Sequence, residues 1–380
     1  MSKEVVRAGV VILAYAMKKD LQRKLKKNRK QKRKWVRSWI EKRDEYGASS
    51  GLLRELKDQD PSAYRNMLRL NSSKFDDLLQ MVDGMLKKND TTMRPAIPVT
   101  MKLEITLRYL ATGDSLKSLE YLFRVPESTI SKFLPEVLTA ISRALRPFIQ
   151  VPKQADEWKE IENKFLQRWN FPRCFGAIDG KHVIVKRPPC SGSVYFNYKK
   201  TYSIILFAMV DADYCFIYID VGANGRASDS AIFRDSTLNI AIENKTLGLP
   251  EYGVITGDDA FPLRTNLMKP YSKIGLSAAE KIFNYRLSRA RRVVENAFGI
   301  LVWRFRIFSR PIDLAPETID KVIWAACCLH NWLRKTDPGN YMPQQAVDGE
   351  DLNTGNITPG LWRENATNMQ PINHLRGNHY

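Results

Sequence analysis

The chain is poor in the side chains that run most hydrolytic and redox chemistry, with four histidines and five cysteines in 380 residues. An odd number of cysteines without regular spacing sets no disulfide framework, and no Cys-x-x-Cys pair marks a zinc site, so a reducing compartment fits. No apolar run approaches the roughly 20 residues of a membrane-spanning helix, so no membrane partner is expected. The short run from Val10 to Met17 follows only Lys3 and Arg7 and passes into Lys18 and Lys19 without a clear cleavage site. It reads as a packed helix rather than a signal peptide. Acidic charge is also scarce, 41 Asp and Glu against 60 Lys and Arg, for a net charge of +19.

The positive charge is concentrated. Residues 1–45 hold sixteen Lys or Arg against five Asp or Glu, a net +11. Twelve of the twenty residues from Lys18 to Arg37 are basic, Lys24, Lys26, Lys27, Arg29, Lys30, Lys32, Arg33 and Lys34 among them. Clustered cations attract polyanions, so this arm reads as a phosphate-contacting or nuclear-localisation segment, with DNA the leading partner and an acidic membrane surface second. A solvated basic helix without a partner is the plain alternative.

The length allows two domains. The segment 46–150 reads as all-helical after the basic arm 1–45. Within it, Ser115 to Val125 and Pro126 to Phe133 have the form of a helix-turn-helix, with Ser128 as the expected cap of the second helix. That helix would present Ser128, Thr129 and Lys132 to phosphates or base edges, although a plain helical hairpin is the commoner structure. From Cys174 the texture changes to short apolar runs in the order β-β-β-α-β, followed by helices expected over Leu287–Phe308 and residues 318–334. This is the layout of a ribonuclease-H-like α/β domain, a mixed sheet flanked by helices, placed at 151–335. The Asn-, Pro- and Gly-rich tail 336–380 lacks periodicity and is expected to be disordered.

Two acids break the apolar pattern. Asp179 stands in the centre of Phe-Gly-Ala-Ile-Asp-Gly-Lys-His, where an unpaired carboxylate is costly to bury. Asp258 ends the strand-like Tyr-Gly-Val-Ile-Thr-Gly. Carboxylates side by side at strand positions suit Mg²⁺ or Mn²⁺, which prefer oxygen ligands. Glu295, on the border of a helical apolar face, would supply a third ligand, but Arg291 and Arg292 stand four and three residues before it and offer an ordinary salt bridge. Asp229 opens a helix, where Ser228 or Asp229 is a conventional cap and no catalytic role is required. Asp211 and Asp213 read as hairpin residues and His182 as structural.

With these residues in view the sequence resembles the Harbinger/PIF-type transposases and the nucleases derived from them. The resemblance rests on Ala177-Ile-Asp-Gly-Lys-His182, Tyr195-Phe-Asn-Tyr-Lys199 with Tyr202-Ser203, Val221-Gly222 with Asp229-Ser230, and Gly257-Asp258 with Phe261-Pro-Leu263. It extends to Arg291-x-x-x-Glu295-x-x-Phe298-Gly299 with Trp303-Arg-Phe305. It implies a DDE catalytic domain that uses Mg²⁺ or Mn²⁺, with Asp179, Asp229, Asp258 and Glu295 as metal ligands and Asp179, Asp258 and Glu295 as the working triad. Asp229 remains an alternative to Asp258, and Asp259 a stand-in. A Myb-like partner protein, a homo-oligomeric assembly and a nuclear location are further expectations. The expected activity is two-metal phosphodiester cleavage and strand transfer; the alternatives are a domesticated, non-cutting DNA-binding or scaffolding protein, or an RNA-directed nuclease on the same fold.

Overall fold

The computed structural model describes residues 9, 13–23, 36–91, 95–272, 274–342, 344–350 and 357–364. The basic residues from Lys24 to Lys34 lie outside them.

Local signals start the helices. α1 (Leu52–Gln59) is followed by α2 (Pro61–Leu68), where Asp60 accepts a hydrogen bond from the Ala63 N–H at 2.9 Å and Pro61 fills the first turn, which needs no donor. Asn71 likewise caps α3 (Ser72–Leu86) by accepting from the Lys74 N–H. α4 (Val99–Thr112) is buried on nearly every side. α5 (Leu116–Phe123) and α6 (Glu127–Leu145) form the expected hairpin, but Ser128 is not its cap. α6 begins two residues earlier than a Ser128 cap would set, and the orphan N–H of Glu127 donates instead to the Glu120 carboxylate at 2.9 Å. Ser128 and Lys132 are exposed and Thr129 is partly so.

After α7 (Ala155–Trp169) comes a five-stranded mixed sheet of order β3-β2-β1-β4-β5. β1 (Cys174–Ile184), β2 (Ser203–Val210) and β3 (Phe216–Asn224) run antiparallel, while β4 (Val254–Thr256) and β5 (Leu267–Met268) continue parallel to β1. β2 is buried along its whole length, which is why Ser-Ile-Ile-Leu-Phe-Ala-Met-Val reads as a continuous apolar run rather than an alternating one. On one face Phe207 packs on Phe233 of α8 (Asp229–Asp235) and on Phe261. α9 (Thr237–Glu243) follows α8. The opposite face carries α10 (Ala278–Arg304), opened by a reciprocal Ser277–Glu280 capping box, and the register puts the strand centre beneath it, with Lys181 over the Phe298 ring. α10 starts nine residues before the expected helix and ends at Arg304, the chain continuing as a 3-10 turn.

The helical segment and the sheet do not form two separate cores. α11 (Pro316–Thr336) lies between α6 and β3, and one continuous apolar core runs from Ala48 to Tyr341. The open edge at β3 is closed by a side chain: Asn331 of α11 accepts from the Phe216 N–H and donates to the Phe216 carbonyl. Next to it the buried His330 donates from Nε2 to the Tyr214 carbonyl and accepts at Nδ1 from the Tyr341 hydroxyl. Burial pushes His330 down to about 4, so it is neutral.

The tail is ordered where it is described, contrary to expectation. α12 (Pro338–Tyr341) packs on α11, β6 (Gly349–Glu350) pairs with β7 (Ile357–Thr358), and α13 (Leu361–Glu364) docks on α10. Trp362 occupies the gap left by the missing side chain of Gly299, its indole N–H donating to Asn296 at 3.1 Å. Arg363 holds Asp348 through two hydrogen bonds of 2.6 and 2.7 Å. A single bulky plug of this kind leaves no periodic trace in sequence.

Candidate active site

Asp179 and Gly180 sit at the centre of β1, opposite Ala208 and Phe207 of β2. Alternation along the strand directs Asp179 toward the α10 face and Gly180 toward the Phe207 face. A side chain on Gly180 would collide with the Asp229 carboxylate. The absence of a Cβ there is what brings an acid from the turn after β3 against the strand that bears Asp179. Ser228, the residue before it, is the α8 cap, with its hydroxyl accepting from the Ala231 N–H. Asp229 is thereby released from capping.

Asp258 follows β4, and its carboxylate accepts from the Ala260 N–H at 2.9 Å, which fixes the turn. Its neighbour Asp259 is exposed and pairs with Lys269 at 3.4 Å. Glu295 on α10 makes the salt bridge to Arg291 at 2.8 Å that its spacing suggested. Both descriptions of Glu295 hold together: it is an ion-pair partner and also a charge facing Asp179.

The four acids act on one another. Burial, then Glu295, Asp258 and Asp229 in turn, push Asp179 up to about 8, with Arg291 opposing. Burial and Asp258 push Asp229 up to about 6, with Lys199 opposing. Such mutual repulsion at the middle of a sheet calls for a counter-cation. Among the described residues, however, no three such side chains are gathered tightly enough to enclose one ion. The donor set is the kind a hard divalent cation takes, all carboxylate oxygen from β1, the α8 turn, the β4 end and α10. The residues fit such a cation in chemistry, while Glu295 is bridged to Arg291.

Two lysines were missed by sequence reasoning. Lys181, on the same face as Asp179, is pushed down to about 8 by burial and by Lys199, with Asp179 opposing. Lys199 acts on Asp229, Lys181 and His182 alike. The strand pattern alone could have placed Lys181, two residues along from Asp179. His182 is structural as expected, its Nδ1 lying 2.8 Å from the Ser203 hydroxyl. Asp211 is a turn former as expected, accepting from the Asp213 and Cys215 N–H groups.

Residues 178–331 match the family model described as DDE superfamily endonuclease. The chain is similar to the ALP1-like protein of Arabidopsis thaliana, 25% identical over 318 residues, covering 77% of this chain and 76% of the relative. It is similar also to Antagonist of Like Heterochromatin Protein 1 of the same plant, 27% identical over 307 residues and covering 74% and 75%. A third relative is HARBI1 of Rattus norvegicus, named as a candidate nuclease, at 24% identity over 257 residues, covering 67% and 72%. No solved structure matches. The matched segment begins one residue before Asp179 and includes Asp229, Asp258 and Glu295.

Proposed function

We propose that this chain, whose residues 178–331 carry a DDE superfamily endonuclease domain, is a metal-dependent DNA endonuclease of the transposase-derived type, able to cut and join phosphodiesters. The observation that carries the reading is Asp179, an acid at the centre of the sheet raised to about 8 by burial and by three other acids. Asp179, Asp229, Asp258 and Glu295 would hold Mg²⁺ or Mn²⁺, which supply Lewis-acid polarisation of the phosphodiester and an activated water or 3′-hydroxyl. With Asp229 seated against Gly180 and Asp258 fixed by its own turn, those two are placed before substrate arrives, while Glu295 exchanges Arg291 for the centre. Asp258, at the end of β4, serves as the second triad acid and Asp229, at the start of α8, as the ancillary ligand.

DNA is the substrate that suits a net charge of +19. Ser128, Thr129 and Lys132 on α6, with the basic residues from Lys24 to Lys34, contact it, and the same basic segment directs nuclear entry, aided by a Myb-like partner. A second reading, a domesticated DNA-binding protein that does not cut, is favoured by the Arg291 bridge that occupies Glu295. Cleavage of supercoiled plasmid DNA by the intact chain separates the two. The expected result is nicked or linear DNA with Mg²⁺ or Mn²⁺ and none with EDTA. Binding without product at any metal concentration contradicts the nuclease and supports the second reading.

A further inference from the structure

Between β1 and β2 the chain forms a tight excursion, Tyr195-Phe-Asn-Tyr-Lys-Lys-Thr-Tyr202, that no acid of the site requires. Its backbone is fixed from inside by Asn197, which is buried. The Asn197 side-chain carbonyl accepts from the Lys199 N–H, the Thr201 N–H and the Thr201 hydroxyl, and its amide donates to Thr201 and to the Ser203 hydroxyl. Because Ser203 accepts from Asn197, its own proton is free to go to His182 Nδ1, at 2.8 Å. Burial, Lys199 and Lys181 push His182 down to about 4, so it stays neutral and able to accept. The excursion is thus tied to β1 three residues from Asp179. On its other side Gly225 packs against Tyr195 and Ser203 with no room for a side chain, joining it to the turn that delivers Asp229.

This rigid base displays an aromatic ring to solvent. Tyr198 is 78% exposed, with its ring edge-on to His182 at 5.5 Å and the Lys199 ammonium 5.4 Å from its centre. Lys199 and Lys200 are exposed beside it, and Lys199 is close enough to act on Asp229. An exposed, over-determined ring flanked by cations matches the two chemistries of an unstacked nucleotide, a π-face and a phosphate.

We infer that Tyr198 and Lys199 form a subsite beside the acidic centre for an unpaired nucleotide of the DNA, the base stacking on Tyr198 and its phosphate meeting Lys199. The inference rests on the DNA reading above and not on catalysis. Tyr198 and Lys199 position substrate; they make no bond.

The experiment uses the intact chain in EDTA with a duplex bearing a single-stranded flap, 2-aminopurine being moved along the flap one position at a time. Expected is quenching confined to one or two positions, lost in Tyr198→Ala with about tenfold weaker binding and retained in Tyr198→Phe. Lys199→Gln is expected to lower the salt dependence of binding by about one phosphate contact. Quenching that survives in Tyr198→Ala, equal binding of a blunt duplex, or displacement by poly-glutamate as effective as by unlabelled flap DNA overturns the inference. Cleavage with added Mn²⁺ is scored in parallel. Absent cleavage with Tyr198-dependent quenching contradicts the nuclease alone, and normal cleavage with no Tyr198 effect contradicts the subsite alone.

Discussion

The sheet carries two groups of carboxylates; burial raises Asp211 to about 6 as it raises Asp229, and the groups differ in what compensates them. At the β2–β3 hairpin Asp211 accepts two backbone N–H groups, and Asp213 is gripped by Lys164 at 3.1 Å and by Arg168. Burial pushes Asp213 up, but the Lys164 hydrogen bond and the charge of Arg168 outweigh it and hold the carboxyl below its ordinary range. In the middle of the same sheet the charges of Asp258 and Asp229 both push Asp179 up, and Arg291, which opposes them, is already engaged by Glu295. The first group completes a turn within the protein. The second is left repelling itself, a cost that the proposed cation would offset.

Substitutions break the comparison most sharply in the rate of cleavage. Asp179→Asn and Glu295→Gln are each expected to lower metal-dependent cleavage by about a thousandfold or more, whereas Asp213→Asn leaves it within about threefold, read by single-turnover assays. Gly180→Ala comes next. A methyl group there displaces Asp229, and the expected loss is about a hundredfold with the melting temperature nearly unchanged. Adding Asp229→Ala should then cost no more, because both changes remove the same arrangement.

Stability distinguishes the groups by sign. Without metal, Asp179→Asn relieves repulsion and is expected to stabilise by about 1 kcal/mol, while Asp213→Asn removes a partly exposed ion pair and destabilises by about 1 kcal/mol or less. Chemical denaturation in EDTA reads both. A separate pH effect belongs to a third carboxylate, Glu104 on α4, raised to about 7 by burial, with Ser49, Arg54 and Lys57 opposing. Its folded state binds the proton more tightly than the unfolded state does. Its contribution is therefore fully present below pH 4.5 and lost as pH rises through about 7, and Glu104→Gln should flatten that part of the stability curve.

The succession of the first four strands was legible in sequence from their apolar runs, and Asp179 and Asp258 stood out because an acid in or at the end of such a run has few structural roles open to it. Glu295 and Asp229 were not legible in the same way, since the plain alternatives are physically real: Arg291 does bridge Glu295, and of the two possible caps of α8 it is Ser228 that serves. Spacing along one element cannot reveal that Gly180, on a distant strand, makes room for Asp229. The single core was not legible because α6 and α11 each read as an ordinary amphipathic helix, and their fit to each other is not written in either. The docked tail was hidden for a related reason, as Trp362 and Tyr341 act as isolated plugs in gaps made by residues far back in the chain.

Titration of the metal-free chain with Mn²⁺, followed by calorimetry at about pH 7.5, tests most directly whether the central acids are a cation site. The expected result is saturable binding that disappears in Asp179→Asn, weakens in Glu295→Gln and persists in Asp213→Asn. Mn²⁺ binding that is absent from the unaltered chain, or equally strong in Asp179→Asn, would contradict it.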